Sequence, residues 1–224
     1  LDRDTFLGLT AFMAPVRRRI GPWLESAAPD GMETVKHAIR TLLEEATRTA
    51  EADDALRRFQ AQFPGGKAFR WVRDLAAEIL HNAMPEQYPL MTRWVWDSKT
   101  NTGVIREIWH ADDIDRITLD VPDTYQTFLV LREELSQFLT DNGVFRDMGQ
   151  YVDLICAQIY ANYVSEQGGT YLRTEFSAAE EPTQYTRRML GLDGIDPETG
   201  RTRAKGTKGR PIVLDVDAAN NSND

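Results

Sequence analysis

One stretch of the chain, from Phe63 to His110, predicts the fold most directly, and it reads FPGGKAFRWVRDLAAEILHNAMPEQYPLMTRWVWDSKTNTGVIREIWH. Apolar residues recur at helical spacing from about Lys67 to Ala83, between turns rich in glycine or proline, so this segment predicts a helix. The stretch also contains four of the five tryptophans and two of the three histidines. Because tryptophan buries a large area and still needs a partner for its N–H group, this density indicates either core or a recognition surface.

Helical patterns continue on both sides of that stretch. They are predicted over residues 3–26 as two pieces that meet at Pro15, from Met32 onward, around 55–59, over 124–141, over 148–166 and after Pro182. Short strands are expected near Val104–Val121, where Val104–Trp109 fits either a strand or a helical turn and Ile117–Val121 alternates. The predicted fold class is therefore mainly α, a compact multi-helix array of about seven helices with at most one or two short strands.

A change in composition after Leu192 predicts the domain organisation. Residues 1–192 carry the helical patterns and are expected to form one helical domain, whereas 193–224 are rich in Gly, Asp, Thr, Lys and Asn. Such a segment lacks the apolar residues that would offset its ordering entropy, so we predict an extended or disordered tail that is dispensable for folding. The tail contains a basic segment, 201–210, with five cations and no acid: Arg201, Arg203, Lys205, Lys208 and Arg210.

Charge and composition restrict the partners and the location. The formal net charge is −9, so the chain without its basic segment carries −9 − 5 = −14. An acidic body binds phosphate backbones poorly, which makes nucleic acid an unlikely partner. No apolar run is long enough for a membrane helix, and no secretory pattern opens the sequence. A single cysteine, Cys156, excludes an intramolecular disulfide and indicates a reducing, cytoplasmic setting.

Two Glu-x-x-His pairs, Glu78 with His81 and Glu107 with His110, raise the alternative of a dimetal enzyme. On a helix this spacing puts a carboxylate and an imidazole on one face, and two such pairs with further glutamates hold di-iron or di-manganese sites in bundles. Glu44 and either Glu133 or Glu134 would supply the others. The two pairs are close together in sequence, however, unlike the order of elements in ferritin-like proteins. We therefore predict ordinary helix-surface pairs, with no metal and no other cofactor.

A second alternative is a nucleic-acid-binding module. Phe63–Phe69, followed by a helix and then Tyr88–Val95, resembles the helix-hairpin-helix base-excision glycosylases over about a seventh of the chain. Met91 occupies the place of the catalytic aspartate in that family, so the resemblance implies a catalytically silent helix-hairpin-helix-like module. The sequence contains no phosphate-binding loop of the Gly-x-x-x-x-Gly-Lys-Ser/Thr type and no Gly-x-Ser-x-Gly elbow, and Cys156 lies on an apolar helical face.

The function that we favour is non-catalytic. Arginine beside tryptophan is typical of protein interfaces, and the middle stretch offers Trp71, Arg93, Trp94, Trp96 and Trp109. Trp71 is expected on the polar-basic side of its helix, between Arg70 and Arg73. The sequence thus predicts a cytoplasmic accessory or adaptor protein that docks on a protein partner through this Trp/Arg-rich stretch, with the basic tail as an arm against an acidic partner. The alternative for the tryptophans is that they close a helical core.

Overall fold

The computed structural model describes residues 1–109, 117–167, 182–206 and 209–213. In these ranges the chain forms nine α-helices, two 3-10 turns and one antiparallel sheet of two strands. The helices are α1 (Arg3–Thr10), α2 (Arg17–Ser26), α3 (Gly31–Glu45), α4 (Ala52–Ala61), α5 (Trp71–Ala83), α6 (Val104–Ile108), α7 (Tyr125–Asp141), α8 (Met148–Gln167) and α9 (Pro182–Met189). The strands are β1 (Arg201–Lys205) and β2 (Pro211–Val213). The prediction of a mainly α fold is confirmed.

Helix α5 lies at the centre of the molecule. It packs against α3 and α4, and eight of its residues are buried, among them the small pair Ala76 and Ala77 that allows neighbouring helices to approach closely. The buried set reaches almost all round the helix: Trp71, Val72, Asp74, Leu75, Ala76, Ala77, Glu78 and Leu80. The predicted helix over 67–83 is therefore present, as a 3-10 turn (Lys67–Phe69) followed by α5.

An aromatic cluster joins α2, α4 and α5. The ring of Trp23 lies 5.1 Å from that of Phe63 and 6.1 Å from that of Trp71, and Phe59 lies 5.2 Å from Phe63, all between ring centroids. Offset and edge-on pairs at these separations are favourable beyond the area that they bury. The expectation that Trp71 occupies a polar-basic side of its helix is wrong, because α5 has almost no exposed side and its first turn inserts into this cluster.

The segment between α5 and α6 forms tight turns rather than a regular element. The N–H groups of Val95 and Trp96 donate to the carbonyl of Thr92, at 3.0 and 3.2 Å. Gly103 then has a φ of 126°, and a Cβ there would lie 2.6 Å from the carbonyl oxygen of Val95, so glycine is required. Residues 104–108, for which the sequence allowed a strand or a helical turn, form α6.

The strands lie elsewhere than expected. Residues 117–121 join no sheet in the described structure, and the predicted strand at Ile117–Val121 is wrong. Side chains take the place of a partner strand: Asn101 accepts from the Leu119 N–H at 3.0 Å and donates to the Ile117 carbonyl at 3.2 Å. The alternation of apolar and polar residues therefore predicted a strand at a place where the backbone forms hydrogen bonds with the side chain of Asn101.

Helices α7 and α8 pack against each other, and α9 packs on α8. Helix α7 is capped from outside its own segment, because the N–H of Tyr125 donates to a carboxylate oxygen of Asp53 on α4 at 2.8 Å. The Thr124 side chain provides no cap. None of the helices in the described ranges combines the length and apolar composition that crossing a bilayer requires.

After α9 the chain returns to α1 and α2. Gly191, at a φ of 73°, and Gly194 pass so close to the end of α1 that a Cβ would overlap the carbonyl groups of Phe12 and Ala11. Asp193 accepts two hydrogen bonds from Arg17, at 2.6 and 3.0 Å, and β1 lies against α1 and α2. Asp193, Gly194 and β1 belong to the segment 193–224, which was predicted as an extended or disordered tail. The domain boundary at residue 192 itself stays a prediction.

Candidate functional site

The first Glu-x-x-His pair is partly buried between α5 and α8. His81 Nδ1 lies 2.9 Å from the carbonyl oxygen of Tyr88, and Nε2 lies 2.9 Å from a carboxylate oxygen of Asp153. Both partners are acceptors, so both ring nitrogens donate and the imidazole is protonated. Burial lowers the pKa of His81, but the hydrogen bond and negative charge of Asp153 outweigh it, and the pKa lies above its ordinary value. Neither nitrogen offers a lone pair to a metal or to a substrate proton.

Glu78, one turn before His81, is buried in the interior. Burial raises its pKa to about 8, and the neighbouring carboxylates of Asp74 and Asp153 act in the same direction against the opposing charge of His81. At neutral pH this carboxyl group is therefore mainly protonated. A protonated glutamic acid is a poor metal ligand but is compatible with a low-dielectric interior.

The described structure does not place the second Glu-x-x-His pair, Glu107 with His110, beside the first. Glu107 is exposed on α6, and His110 lies outside the described residues. The remaining glutamates proposed for the site, Glu44, Glu133 and Glu134, are all exposed, unlike Glu78. Among the described residues no group of three or more His, Cys, Asp or Glu side chains is arranged to hold a metal ion. The dimetal alternative stays a prediction that would need His110.

A groove of about 640 Å³ opens beside His81 and is also lined by Asp153 and Cys156. Cysteine, histidine and aspartate suggest a nucleophile, but their states argue against one. Burial raises the pKa of the Cys156 thiol to about 12, with a smaller effect of Asp153, so the reactive thiolate is scarce at neutral pH. His81 already carries both protons and cannot serve as the base. The groove therefore contains no activated nucleophile among these residues.

The tryptophans of the middle stretch divide into three that are buried and one that is exposed. Trp71, Trp94 and Trp96 are core residues, and the Trp96 indole donates to the Val121 carbonyl at 3.0 Å. Arg93 makes a two-pronged pair with the buried carboxylate of Asp74, at 2.9 and 2.6 Å, and its backbone N–H donates to the same group. Trp109 is 44% exposed at the end of α6. Three of the four rings are thus buried, as expected from the alternative in which these tryptophans close a helical core.

The basic segment forms part of the β1–β2 hairpin. Along β1 the side chains alternate: Arg201, Arg203 and Lys205 are exposed, whereas Thr202 is buried. Arg203 also contacts Asp193 at 3.1 Å. Arg210, just before β2, is exposed, and Lys208 lies outside the described residues. Three cations of the segment are thus exposed on one short strand, whose pairing with β2 shifts register between Arg201 and Lys205.

The stretch that resembles a helix-hairpin-helix module lies between α4 and α5 and in the turns after α5. Gly66 adopts a φ of 95° in the first part. Met91, in the place of that family's aspartate, is buried. No protein-family model, no curated protein and no solved structure matches this chain. The nucleic-acid alternative therefore stays a prediction from short motifs.

Sequence reasoning missed the buried carboxylates that position the arginines. Asp74 lies one turn from Trp71 and one turn from Glu78 in α5, and it is fully buried with Arg93 as its partner. An acidic residue among apolar residues predicted to face the core was the available signal. The partner of Asp74 carried no signal, since Arg93 is nineteen positions away in an irregular turn.

Proposed function

We propose that the chain is a non-catalytic, cytoplasmic accessory or adaptor protein that docks on a protein partner with an acidic surface. The alternation along β1 supports this proposal most strongly, because it exposes Arg201, Arg203 and Lys205 together while Thr202 anchors the strand. Exposed cations held on one short strand present a fixed pattern of charge. Such a pattern favours a partner with complementary acidic residues.

The contrast between the hairpin and the rest of the chain supports the choice of partner. Outside the basic segment the formal charge is −14, so an acidic partner is attracted at the hairpin and repelled elsewhere. This arrangement orients the encounter as well as favouring it. A long nucleic acid would meet the same repulsion along most of the surface, which makes a protein the better fit.

The middle stretch contributes less surface than its sequence predicts. Trp71, Trp94 and Trp96 are buried, so an adaptor would use only the exposed end of α6, where Ile108 and Trp109 are 41% and 44% exposed. We therefore assign the main docking role to the hairpin and a secondary apolar contact to Trp109. An exposed tryptophan at an interface is a frequent source of binding energy.

The proposal is tested with a charge-reversed hairpin. The protein is used to capture partners from its native host, the captured protein is identified and purified, and its Kd is measured against the wild type and against R201E/K205E. The control is R48E/R57E, which makes the same change in net charge on exposed arginines of other elements. We expect the hairpin variant to bind at least about tenfold more weakly, with a strong dependence on salt, and the control to bind normally.

Two results would overturn the proposal. Equal losses in both double variants would show that only net charge matters, and a captured partner with a basic contact surface would contradict the assigned chemistry. Binding of double-stranded DNA more tightly than the captured protein, lost in the hairpin variant, would favour the nucleic-acid alternative instead.

A further inference from the structure

Helices α7 and α8 pack against each other and are joined by the turn 142–147, so they form a helical pair with two sides. One side borders the groove at His81, which Ser136 of α7 and Asp153 of α8 help to line. A step of two residues turns a helix by about 200°, so Phe138 and Tyr151 lie on the side away from the groove. Neither of them lines it. The pair therefore has a second side, distinct from the groove and from the β1–β2 hairpin.

Three aromatic side chains are exposed near the turn of this pair. Phe138 is 57% exposed, Phe145 in the turn is 73% exposed and Tyr151 is 42% exposed. Phe138 lies three residues before the end of α7 and Tyr151 three residues after the start of α8, so the two rings are at the same level along the pair. At about 200 Å² for a complete aromatic side chain, the three present about 300–400 Å² of mainly apolar surface. Exposed apolar patches of this size are often functional.

The sequence of α8 indicates a packing partner on the same side. Apolar residues occupy its exposed side as well as its buried one, and a helix that is apolar all round is normally covered on every side. Among the described elements α8 packs most closely against α6, α7 and α9, which leave Tyr151 and Leu154 42% and 43% exposed. Met148 and Ile155, one turn before and one turn after Tyr151, are only partly buried. The described elements therefore leave part of the apolar surface of α8 uncovered.

The charged residues around these rings are mainly acidic. Over 133–153 the exposed charged side chains, which sum to 1 − 4 = −3, are Glu133, Glu134, Asp141, Arg146 and Asp147. None of the four carboxylates forms an ion pair with a cation of the described ranges. Glu134 and Asp141 lie one turn before and one turn after Phe138 on the same face of α7. An exposed apolar ring thus lies between two carboxylates that no described cation neutralises.

We propose that the α7–α8 surface, formed by Glu134, Phe138, Asp141, Phe145 and Tyr151, binds a basic amphipathic helix of a partner protein. Two packed helices leave a shallow valley between them that a third helix can fill, as in a bundle. The apolar face of the incoming helix covers the three rings, and lysine or arginine residues at its edges pair with Glu134 and Asp141. The charge of this partner is opposite to that of the partner proposed for the β1–β2 hairpin, so the two proposals stand independently.

Charge selects a basic helix over two other occupants of the α7–α8 surface. A second copy of the chain, docked through the same surface about a two-fold axis, would place one acidic surface against another. An anionic membrane would repel the carboxylates in the same way. A basic helix neutralises the carboxylates while it covers the rings, and it is therefore the occupant that we assign.

Fluorescence anisotropy of a labelled leucine–lysine peptide, with leucine at the i, i+3, i+4 and i+7 positions of a helix, tests the proposal on the full chain. The ring variant is Phe138→Ala, and its control is Leu9→Ala, an apolar side chain exposed to 49% on α1. Both side chains are exposed, so neither change removes core packing. We expect Phe138→Ala to weaken binding of the peptide at least about tenfold, and Leu9→Ala to change it by less than about twofold.

A second pair of variants tests the carboxylates. E134K/D141K reverses the charges beside Phe138, and the control E44K/D120K makes the same changes of residue type and charge at exposed positions elsewhere. We expect E134K/D141K to bind the peptide at least about tenfold more weakly than the control does. A peptide with glutamate in place of lysine should bind the wild type at least about tenfold more weakly than the lysine peptide.

Other outcomes would overturn the assignment. No binding of the lysine peptide to the wild type at about 1 mM protein would show that the surface takes no basic helix. Equal losses in the two charge variants would reduce the effect to net charge, and a normal affinity of Phe138→Ala would remove the rings from the site. Self-association in sedimentation, or binding to phosphatidylserine vesicles, that is lost in Phe138→Ala would assign the surface to a second copy or to a membrane instead.

Discussion

Three ionisable residues, Asp74, Glu78 and His81, lie on one face of α5, spaced by four and three positions. Each is stabilised differently in the interior. Asp74 is paired with Arg93, Glu78 is kept mainly protonated, and His81 is protonated by the acceptors on both of its nitrogens. A buried charge without a partner is costly, so this face of α5 depends on the ionisation state of each group.

The first prediction concerns pH and Glu78. Its pKa in the folded state, about 8, lies above the ordinary value of 4.5, so the folded state holds the proton more tightly than the unfolded state does. The contribution that this raised pKa makes to the free energy of unfolding is fully present below pH 4.5 and is lost progressively as the pH rises to about 8. The raised pKa of His81 acts in the same direction from its ordinary value of 6.5 upward.

We therefore expect the wild type to unfold at a lower urea concentration at about pH 8.5 than at about pH 5.5. Glu78→Gln keeps the shape without the charge and should remove much of that fall, with a gain of about 2–4 kcal/mol at the higher pH relative to the wild type. Urea titrations of both proteins across this range measure it. A variant with the same pH dependence as the wild type would show that Glu78 does not titrate in this window.

The second prediction separates the tryptophans by burial. Trp94→Ala and Trp96→Ala should each reduce the free energy of unfolding by about 3–5 kcal/mol, because each removes a large buried ring. Trp109→Ala, at an exposed ring, should cost less than about 1 kcal/mol and serves as the matched control. Denaturant unfolding measures all three. A small effect of Trp94→Ala or Trp96→Ala would contradict their placement in the core.

The sequence could not decide whether these tryptophans are buried in the core or exposed on a recognition surface, for a physical reason. Helical periodicity reports on which side of its own helix a residue lies, and Trp94 and Trp96 lie in turns without a helical face. Trp71 lies between two arginines, which suggested a polar side, but Arg70 and Arg73 form ion pairs with Asp97 and Asp123. Ion pairs over long sequence distances thus allow a charged neighbourhood next to a buried ring.

At the scale of elements, the cap of α7 is supplied by another helix. Asp53 on α4 accepts the N–H of Tyr125 across 72 positions of sequence. We predict that Asp53→Ala costs about 0.5–2 kcal/mol, the usual effect of losing a cap. The control is the adjacent Asp54→Ala, which removes only a surface pair with Arg57 and should cost less than about 1 kcal/mol.

Urea unfolding compares the two aspartate variants directly. Both variants change the same residue type and the same charge. The difference between their free energies of unfolding therefore isolates the hydrogen bond from Tyr125. Equal stabilities would contradict a capping role for Asp53.

The long helices were predictable, and the irregular elements were not. The patterns over 67–83, 124–141 and 148–166 correspond to α5, α7 and α8, since a long amphipathic stripe carries many consistent signals. The predicted strand at Ile117–Val121 failed because five residues cannot specify their hydrogen-bond partner. The β1–β2 hairpin differs from the helices, since in β1 only Thr202 is buried and the cations are exposed.

At the scale of the whole molecule, the segment after α9 joins the two ends of the described chain. The sequence alone predicted that residues from 193 onward are dispensable for folding, but the pairing of Arg17 with Asp193 leads us to the opposite expectation. The Arg17 side chain is 8% exposed, so removing its partner leaves a buried cation unpaired. Truncation after Leu192 should lower the Tm by about 10 °C, from a loss of about 3–5 kcal/mol.

Thermal unfolding checks this prediction. Truncation after Val213 is the control, since it keeps Asp193, both strands and the glycines that pack on α1. Asp193→Asn should reproduce most of the loss without shortening the chain. A truncation after Leu192 that melts within about 2 °C of the full chain would restore the original expectation.

The composition of the segment after α9 did not predict its contacts with α1 and α2, because few apolar side chains take part in them. Gly191 and Gly194 pack by their backbone, and the Arg17–Asp193 pair is ionic, so neither raises the hydrophobicity of the segment. A cavity of about 380 Å³ between α2, α8 and α9 was hidden for a related reason. Its five arginines are dispersed between residues 17 and 188, and only the folded chain brings them together.

The pairing of Arg17 with Asp193 also determines how early α1 and α2 can complete their packing during protein synthesis. A separation of 176 residues, at a ribosomal rate of about 5–20 residues per second, means that Asp193 is made about 10–35 s after Arg17. Throughout that interval α1 and α2 lack the segment that covers them. These two helices are made before the other described helices and are nevertheless among the last to reach their final packing, so a chaperone that shields them would act while the rest of the chain is being made.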